Sequence, residues 1–311
     1  MDKMKSEKNA DPASQNAEEV KRLTSSAYWG ELPIPEAKLA PARPRSRWIP
    51  EKALKAYRTL RSVHSQRILH EVLLAPLLSG MRGGRFLEIG SAPGDNGLAF
   101  HRYYGLIPYG LEYSGPRVQA QRQLYRLNGL PEDWVIQGDF FDDGVLDPLR
   151  ASFDVVASFG FIEHFDDPAV VLARHLALLR PGGLLVVGVP NLGRGSLNGW
   201  LTRRYNPAVY ALHNIETCGA DGFCRLFPPP GCEPVFCGPL GGVHAEVRPD
   251  ARRQSRRVSR ALEKAWPWVN AMNHLCVGTR LSSFPRTSAT WLMIARKKTP
   301  PGAASIPRSS P

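Results

Sequence analysis

The chain predicts an α/β fold, a mostly parallel sheet with helices packed on both of its faces. Three observations carry this reading. Between residues 85 and 190, five short apolar runs alternate with segments of helical period, the pattern of repeated strand–helix–strand units joined by right-handed crossovers. The first of these runs, Arg85-Phe-Leu-Glu-Ile, passes directly into a turn holding Gly90, Gly94 and Gly97, with a helix-like segment from Leu98 to Tyr104 behind it. That order of strand, glycine turn and helix N-terminus lets a nucleotide-bearing cofactor approach bare backbone. Beyond the alternation, a last strand-like run spans Ala289 to Arg296.

Taken in order, residues 1 to about 20 are polar and expected to be disordered. Residues 30–50 hold Pro33, Pro35, Pro41, Pro44 and Pro50 and should be extended. Between them Tyr28-Trp29 brings two large rings with no core of their own, a candidate lid over the cofactor pocket. From Glu51 to Leu78 a broad apolar stripe through Leu54, Tyr57, Leu60, Ile68, Val72 and Leu73 predicts a helix covering the sheet. After Asn191 the alternation gives way to an irregular stretch to about 230. A sixth strand at Pro234-Val-Phe-Cys-Gly and a helical insertion from Arg252 to Val277 follow. The expected partition is an arm over 1–50, one domain over 51–298, and an unstructured Pro/Ser tail over 299–311.

The strand ends carry the chemistry. A pyrophosphate-binding turn would read Gly-x-Gly-x-x-Gly, with an acid further downstream on the ribose. Here the spacing is Glu88-x-Gly90-x-x-x-Gly94, and a carboxylate inside the turn suits a cofactor bearing a cation. The second run ends in Glu112-Tyr113, where an acid can accept hydrogen bonds from both ribose hydroxyls. The third ends in Asp139-Phe140, a carboxylate and a ring fitted to an adenine amino group and face. The fourth leads into Phe159-Gly-Phe-Ile-Glu163-His164. Acids at three successive strand ends are hard to attribute to chance.

These residues resemble the class I S-adenosylmethionine-dependent methyltransferases, small-molecule branch, over Gly84 to Asn191. The resemblance implies a Rossmann-like, seven-stranded, mostly parallel sheet whose last strand runs antiparallel between the fifth and sixth. It places the methionine part of S-adenosylmethionine on Glu88, Gly90, Ser91, Ala92 and Gly94, the ribose on Glu112 and Tyr113, and the adenine on Asp139 and Phe140. Phe161-Ile-Glu-His-Phe-Asp-Asp-Pro168 looks like that branch's signature after the fourth strand, and Leu179-Arg-Pro-Gly-Gly like the turn into its fifth. The residues after strands four and five, Phe159, Glu163, His164, Pro190 and Asn191, should face the sulfonium. Segments 192–232 and 240–285 should roof the methyl acceptor. Two positions depart from the pattern: Ala92 replaces a glycine and requires a negative φ, and Gly160 stands where ubiquinone-pathway O-methyltransferases carry an extra acid. No metal is therefore expected.

His164 is the first candidate for general base, because an imidazole takes up a proton near neutral pH. His213, in Tyr210-Ala-Leu-His-Asn-Ile-Glu216, is the second. In-line methyl displacement draws much of its rate from positioning, so the absence of an obvious nucleophile is no objection.

The remaining composition limits the alternatives. With 311 residues at 43% hydrophobic, the chain can build one large domain. No apolar run is long enough to span a bilayer, and the polar N-terminus lacks a secretory signal, so a cytoplasmic location is expected. Cys218, Cys224, Cys232, Cys237 and Cys276 fit no zinc-ribbon spacing and read as buried thiols. The net charge of +12 is concentrated in Arg43-Arg45-Arg47, in Arg252 to Arg260, and near the C-terminal end. Such flanks suit phosphates, nucleic acid or a membrane surface. The function expected is methyl transfer to an oxygen or nitrogen of a small metabolite, such as a sugar, a quinone-like ring or a natural-product intermediate. The alternatives are an RNA or protein methyltransferase, a catalytically silent binding protein on the same fold, and, least favoured by the glycine spacing, a nicotinamide oxidoreductase. Nucleic acid is a possible but unfavoured partner. The basic insertion is expected to serve acceptor choice or surface docking.

Overall fold

The apolar runs become strands where the alternation places them. In the computed structural model, which describes residues 20–31, 64–247, 253–276 and 283–300, they form β1 (Arg85–Ile89), β2 (Ile107–Glu112), β3 (Val135–Gln137), β4 (Phe153–Phe159), β5 (Leu179–Pro190), β6 (Cys232–Leu240) and β7 (Thr290–Lys297). One seven-stranded sheet results, in the order β3-β2-β1-β4-β5-β7-β6. The pairs from β3 to β5 are parallel, and β7 runs antiparallel to both β5 and β6. This is the expected Rossmann-like arrangement.

Strand periodicity divides the core in two. Leu87, Ile89, Val156, Leu185, Val187 and Met293 point to one face, beneath α6 (Pro168–Leu178). Phe86, Val155, Ala157, Leu184, Val186, Leu292 and Ile294 point to the other. That second face is covered by α3 (Asp95–Tyr104) and by α2, which is α-helical over His64–Arg67, π-helical over Ile68–Leu74 and α-helical again over Ala75–Leu78. A third cluster, Leu98, Val118, Leu124, Tyr125 and Val135, seats α4 (Gly115–Leu127) beside β3. The predicted helix over 51–78 is confirmed from His64 onward; its earlier part, and most of the expected extended segment 30–50, lie outside the described residues.

The structure corrects several expectations. Gly30 and Glu31 are helical, at the end of α1 (Ser26–Glu31). Arg180-Pro-Gly-Gly is not a turn preceding β5 but its irregular beginning, since Leu179 already pairs with Phe153 before the register shifts. β3 and β4 are joined by α5 (Asp143–Leu146) and a 3-10 turn rather than a full helix. The stretch after Asn191 is not irregular: α7 (Leu197–Tyr205) is capped by Ser196 and α8 (Pro207–Tyr210) by Asn206, with α9 (Ala220–Arg225) following. Ser and Asn caps satisfy amides that a helix leaves open at its start, and proline fits the first turn of α8. The five thiols form no disulfide with one another, and Cys218 and Cys232 alone are buried; Cys224 is exposed, 3.4 Å from Cys237 sulfur to sulfur. The helical insertion is α10 (Arg253–Cys276), close to its predicted bounds.

Candidate active site

Parallel strands deliver their last residues to one edge of the sheet, and those residues line a cavity of about 540 Å³. The glycine turn forms its floor. Gly90 has φ +67° and its amide donates to Leu111 O at 2.9 Å, which ties the turn to β2. Gly94 has φ +102°, and a side chain there would meet Gln121 at 2.9 Å. Both positions need glycine. Ala92 does not: Ala151 is the sole non-glycine with positive φ among the described residues.

Glu88 lies beneath this turn, 3% exposed. Its Oε1 accepts from Asn96 Nδ2 at 2.6 Å, while Oε2 makes no hydrogen bond of normal geometry. Burial pushes the carboxyl from 4.5 up to about 8, against the opposing pull of Asn96. The folded protein therefore holds a proton that the unfolded chain releases near 4.5, so this group's contribution to stability is lost as pH rises from 4.5 through about 8. Buried His64, His70 and His175, each lowered from 6.5 to about 4 chiefly by burial, act in the other direction as pH falls below 6.5. Apo Tm should thus peak near pH 6.5. Glu88→Gln should flatten the alkaline limb, read by thermal melts between pH 6 and 9; an unchanged limb would show that Glu88 is ionised in the fold.

Glu112, at the end of β2, is 5% exposed yet reaches the cavity wall. Its Oε1 accepts from Ser114 N at 3.0 Å, and Arg117 Nε stands 3.9 Å from Oε2. Burial raises its pKa, opposed by the Ser114 amide and Arg117. Arg117 joins three parts of the wall: it donates to Ala92 O at 3.0 Å and Trp29 O at 3.4 Å, and it faces the Trp29 ring at 5.7 Å. Asp139 accepts both Arg22 Nη2 contacts, at 2.5 and 2.6 Å, and the Phe141 amide at 2.8 Å. Its two oxygens offer about four lone-pair sites, which leaves room for an adenine amino group.

Arg22 belongs to a segment that runs over the cavity. Leu23 N donates to His164 O at 2.8 Å, Asp166 N donates to Lys21 O at 3.2 Å, and Arg22 bridges Phe165. From there α1 brings Trp29 edge-on to the His164 ring, with centroids 5.0 Å apart. His164 Nδ1 lies 2.9 Å from Leu212 O and His213 Nδ1 lies 2.7 Å from Val209 O. A carbonyl only accepts, so each Nδ1 carries the hydrogen in this arrangement, and Nε2 is the basic nitrogen when the ring is neutral. The two rings are 4.7 Å apart, and Glu163 Oε1 lies 3.8 Å from His164 Nε2. One donor atom from each of Glu163, His164 and His213 falls within 4.8 Å of the others, a set that could also hold a divalent cation.

A family model described as a methyltransferase domain matches residues 62–293. The chain belongs to this methyltransferase family. It is 29% identical over 226 residues, 71% of this chain and 80% of the relative, to a protein of Mycolicibacterium smegmatis named "Probable S-adenosylmethionine-dependent methyltransferase". Among solved structures, the geranyl diphosphate C-methyltransferase of Streptomyces coelicolor, bound to Mg2+, geranyl diphosphate and S-adenosyl-L-homocysteine, aligns at TM-score 0.52 and 15% identity, covering 93% of this chain and 99% of that one. A geranyl diphosphate methyltransferase complex with sinefungin aligns at TM-score 0.53 and 15% identity, over 92% and 100% of the two chains. These two likenesses are of fold. The chain is a methyltransferase that uses S-adenosylmethionine.

The methyltransferase's own residues fit that cofactor: buried acids stand at two adjacent strand ends, and the half-partnered Glu88 carboxyl lies directly under the glycine turn. Of the ten residues expected at the cofactor, Gly90, Ala92, Glu112, Tyr113, Asp139, Phe140 and Phe159 line the cavity. Glu88, Ser91 and Gly94 lie behind its wall, where Ser91 Oγ donates to Gln121 Oε1 at 2.7 Å. Both candidate bases, His164 and His213, line it together. Asn191 does not: it is 2% exposed, donates to Pro285 O and Ser288 O, and accepts from Trp291 Nε1, fixing the β5–β7 connection. Sequence reasoning missed Arg22, Asn96 and Arg117. Arg117 alone left a trace, in the first turn of the helix that follows the ribose acid.

Proposed function

We propose that this methyltransferase methylates an oxygen or nitrogen of a small metabolite, with His164 or His213 taking the acceptor's proton. The observation that carries this reading is the pair of imidazoles, each held at Nδ1 by a backbone carbonyl and both lining the cavity that Glu112 and Asp139 also line. S-adenosylmethionine supplies an electrophilic methyl group on a sulfonium. The protein's part is to hold the ribose on Glu112, stack Phe140 beside the base, aim the acceptor, and keep water out. The cavity's size favours a small acceptor, with α7, α8 and the 241–247 segment contributing Asn198, Thr202, Val209, His244 and Glu246 to the wall. The test is release of S-adenosylhomocysteine with a panel of hydroxyl- and amine-bearing metabolites, with bulk RNA and protein as rivals. Turnover with RNA or protein and none with any small acceptor would overturn the reading.

The N-terminal segment acts in the same proposal as a lid. Trp29 is positioned between Arg117 and His164, so it bridges the cofactor and acceptor ends of the cavity. Trp29→Ala should weaken S-adenosylmethionine binding about tenfold, the effect of losing one desolvated ring contact with a cationic ligand. Apo Tm should move by no more than a few degrees, because α1 packs on the cavity rim rather than in the core. A large fall in apo Tm with unchanged cofactor affinity would make Trp29 a structural staple instead.

A further inference from the structure

Helix α10 is built inside out. The side chains that it buries fully are polar, Ser255, Ser259, Asn270, Asn273 and His274, set around the half-buried Trp266. Asn270 Oδ1 accepts from His64 N at 3.1 Å, Asn273 donates to Val243 O at 2.6 Å and accepts from Val243 N at 3.0 Å, and His274 Nδ1 meets Arg67 Nη1 at 3.3 Å. Its solvent side carries the large apolar residues: Trp268 is 78% exposed, Met272 69% and Leu275 82%. Spaced four and three residues apart, these form one stripe. A helix normally turns such a stripe inward, so this one is shaped for contact with something outside the chain.

The charges around the stripe identify what. Arg256, Arg257, Arg260 and Lys264 are all exposed. At about 100° per residue, Arg257, Arg260 and Lys264 fall within about 80° of Trp268, while the acid Glu263 falls roughly 140° away. Glu263 is moreover engaged by Ser259 Oγ at 2.9 Å. An apolar stripe led by tryptophan and bordered by long cationic side chains matches the headgroup boundary of an anionic bilayer: the ring and aliphatic groups enter the interface while the cations reach the phosphates. No helix among the described residues is long and apolar enough to cross a membrane, so the contact is one of lying on the surface.

We infer that α10 docks this methyltransferase on anionic lipid surfaces through Trp268, Met272 and Leu275, with Arg257, Arg260 and Lys264 beside them. The helix that carries the docked face reaches the active site from its other side. Trp266, on the inner side of α10, packs edge-on against His244, which lines the acceptor end of the cavity.

Flotation of the full chain with phospholipid vesicles tests this. Vesicles containing about one-third phosphatidylglycerol should carry the protein, whereas pure phosphatidylcholine vesicles should not, since each cation near an anionic surface contributes about fivefold in affinity. The triple variant Trp268→Ser, Met272→Ser, Leu275→Ser should bind at least tenfold more weakly with unchanged Tm and S-adenosylmethionine affinity. Charge reversal at Arg257, Arg260 and Lys264 should abolish binding. Tryptophan emission should shift to the blue on vesicles in wild type, and the shift should shrink in Trp268→Phe. The inference is overturned if the chain ignores anionic vesicles, if the apolar triple variant binds them like wild type, if the face instead joins two copies that the triple variant separates in light scattering, or if it retains RNA and not lipid.

Discussion

Glu112→Ala should lower the affinity for S-adenosylmethionine by about 100-fold, the loss expected when a charged acceptor of two hydrogen bonds disappears from a desolvated site. The carboxylate is placed for this by its position as the last residue of β2, and it is oriented by the Ser114 amide at 3.0 Å. Burial opposes its ionisation and Arg117 favours it. Two vicinal hydroxyls would add donors that favour the charged form, so binding and ionisation should reinforce each other. Removing the side chain also leaves Arg117 without its carboxylate partner beside Trp29 and Ala92 O, so cofactor loss should exceed that of a surface acid. Glu112→Gln, which keeps one acceptor oxygen, should fall between the two. Titration calorimetry with S-adenosylmethionine and S-adenosylhomocysteine reads all three proteins. Near-wild-type affinity in Glu112→Ala would remove Glu112 from the ribose site.

The fold was legible because its signals are local. Strand-length apolar runs, the glycines of the β1 turn and the proline starts of helices each follow from backbone sterics or from period, and the resemblance supplied the antiparallel last strand between the fifth and sixth. The acids around the cavity were legible for a related reason: Glu88, Glu112 and Asp139 stand at or within two residues of strand ends, and a strand end is visible in sequence. What was not legible is contact between distant segments. Arg22 reaches Asp139 across 117 positions, and nothing near either residue announces the pair. Asn191 looked like a site residue because it follows a strand end, yet three hydrogen bonds to the β7 side claim its amide. The short helices after Asn191 were hidden because the longest has nine residues and the others six and four, too short for a periodic stripe, although Ser196 and Asn206 are ordinary cap residues. The meeting of His164 with His213 was expected only as two separate candidates; their common orientation depends on the carbonyls of Leu212 and Val209, which no side-chain pattern encodes.

His164→Ala and His213→Ala should each lower kcat by roughly 100-fold or more, within the range of about 10²–10⁴ typical of a positioned proton acceptor. The affinity for S-adenosylmethionine should change little, because the proposal assigns both rings to the acceptor and not to the cofactor. The rings stand 4.7 Å apart and line the same cavity, so they are expected to act as a unit: one receives the proton and the other fixes the acceptor. Groups that act as a unit lose their effect together, and the double variant should fall little below the worse single one. Added imidazole should restore part of the turnover in the variant that has lost the proton acceptor, whereas a ring that merely packs against Trp29 would give a variant blind to imidazole. Chelation separates the remaining possibility. If Glu163, His164 and His213 worked by holding a divalent cation, dialysis against a strong chelator would silence the wild type, and return of the metal would rescue it without imidazole. Wild-type turnover that survives chelation, combined with imidazole rescue, leaves proton transfer at Nε2 as the role that fits both results.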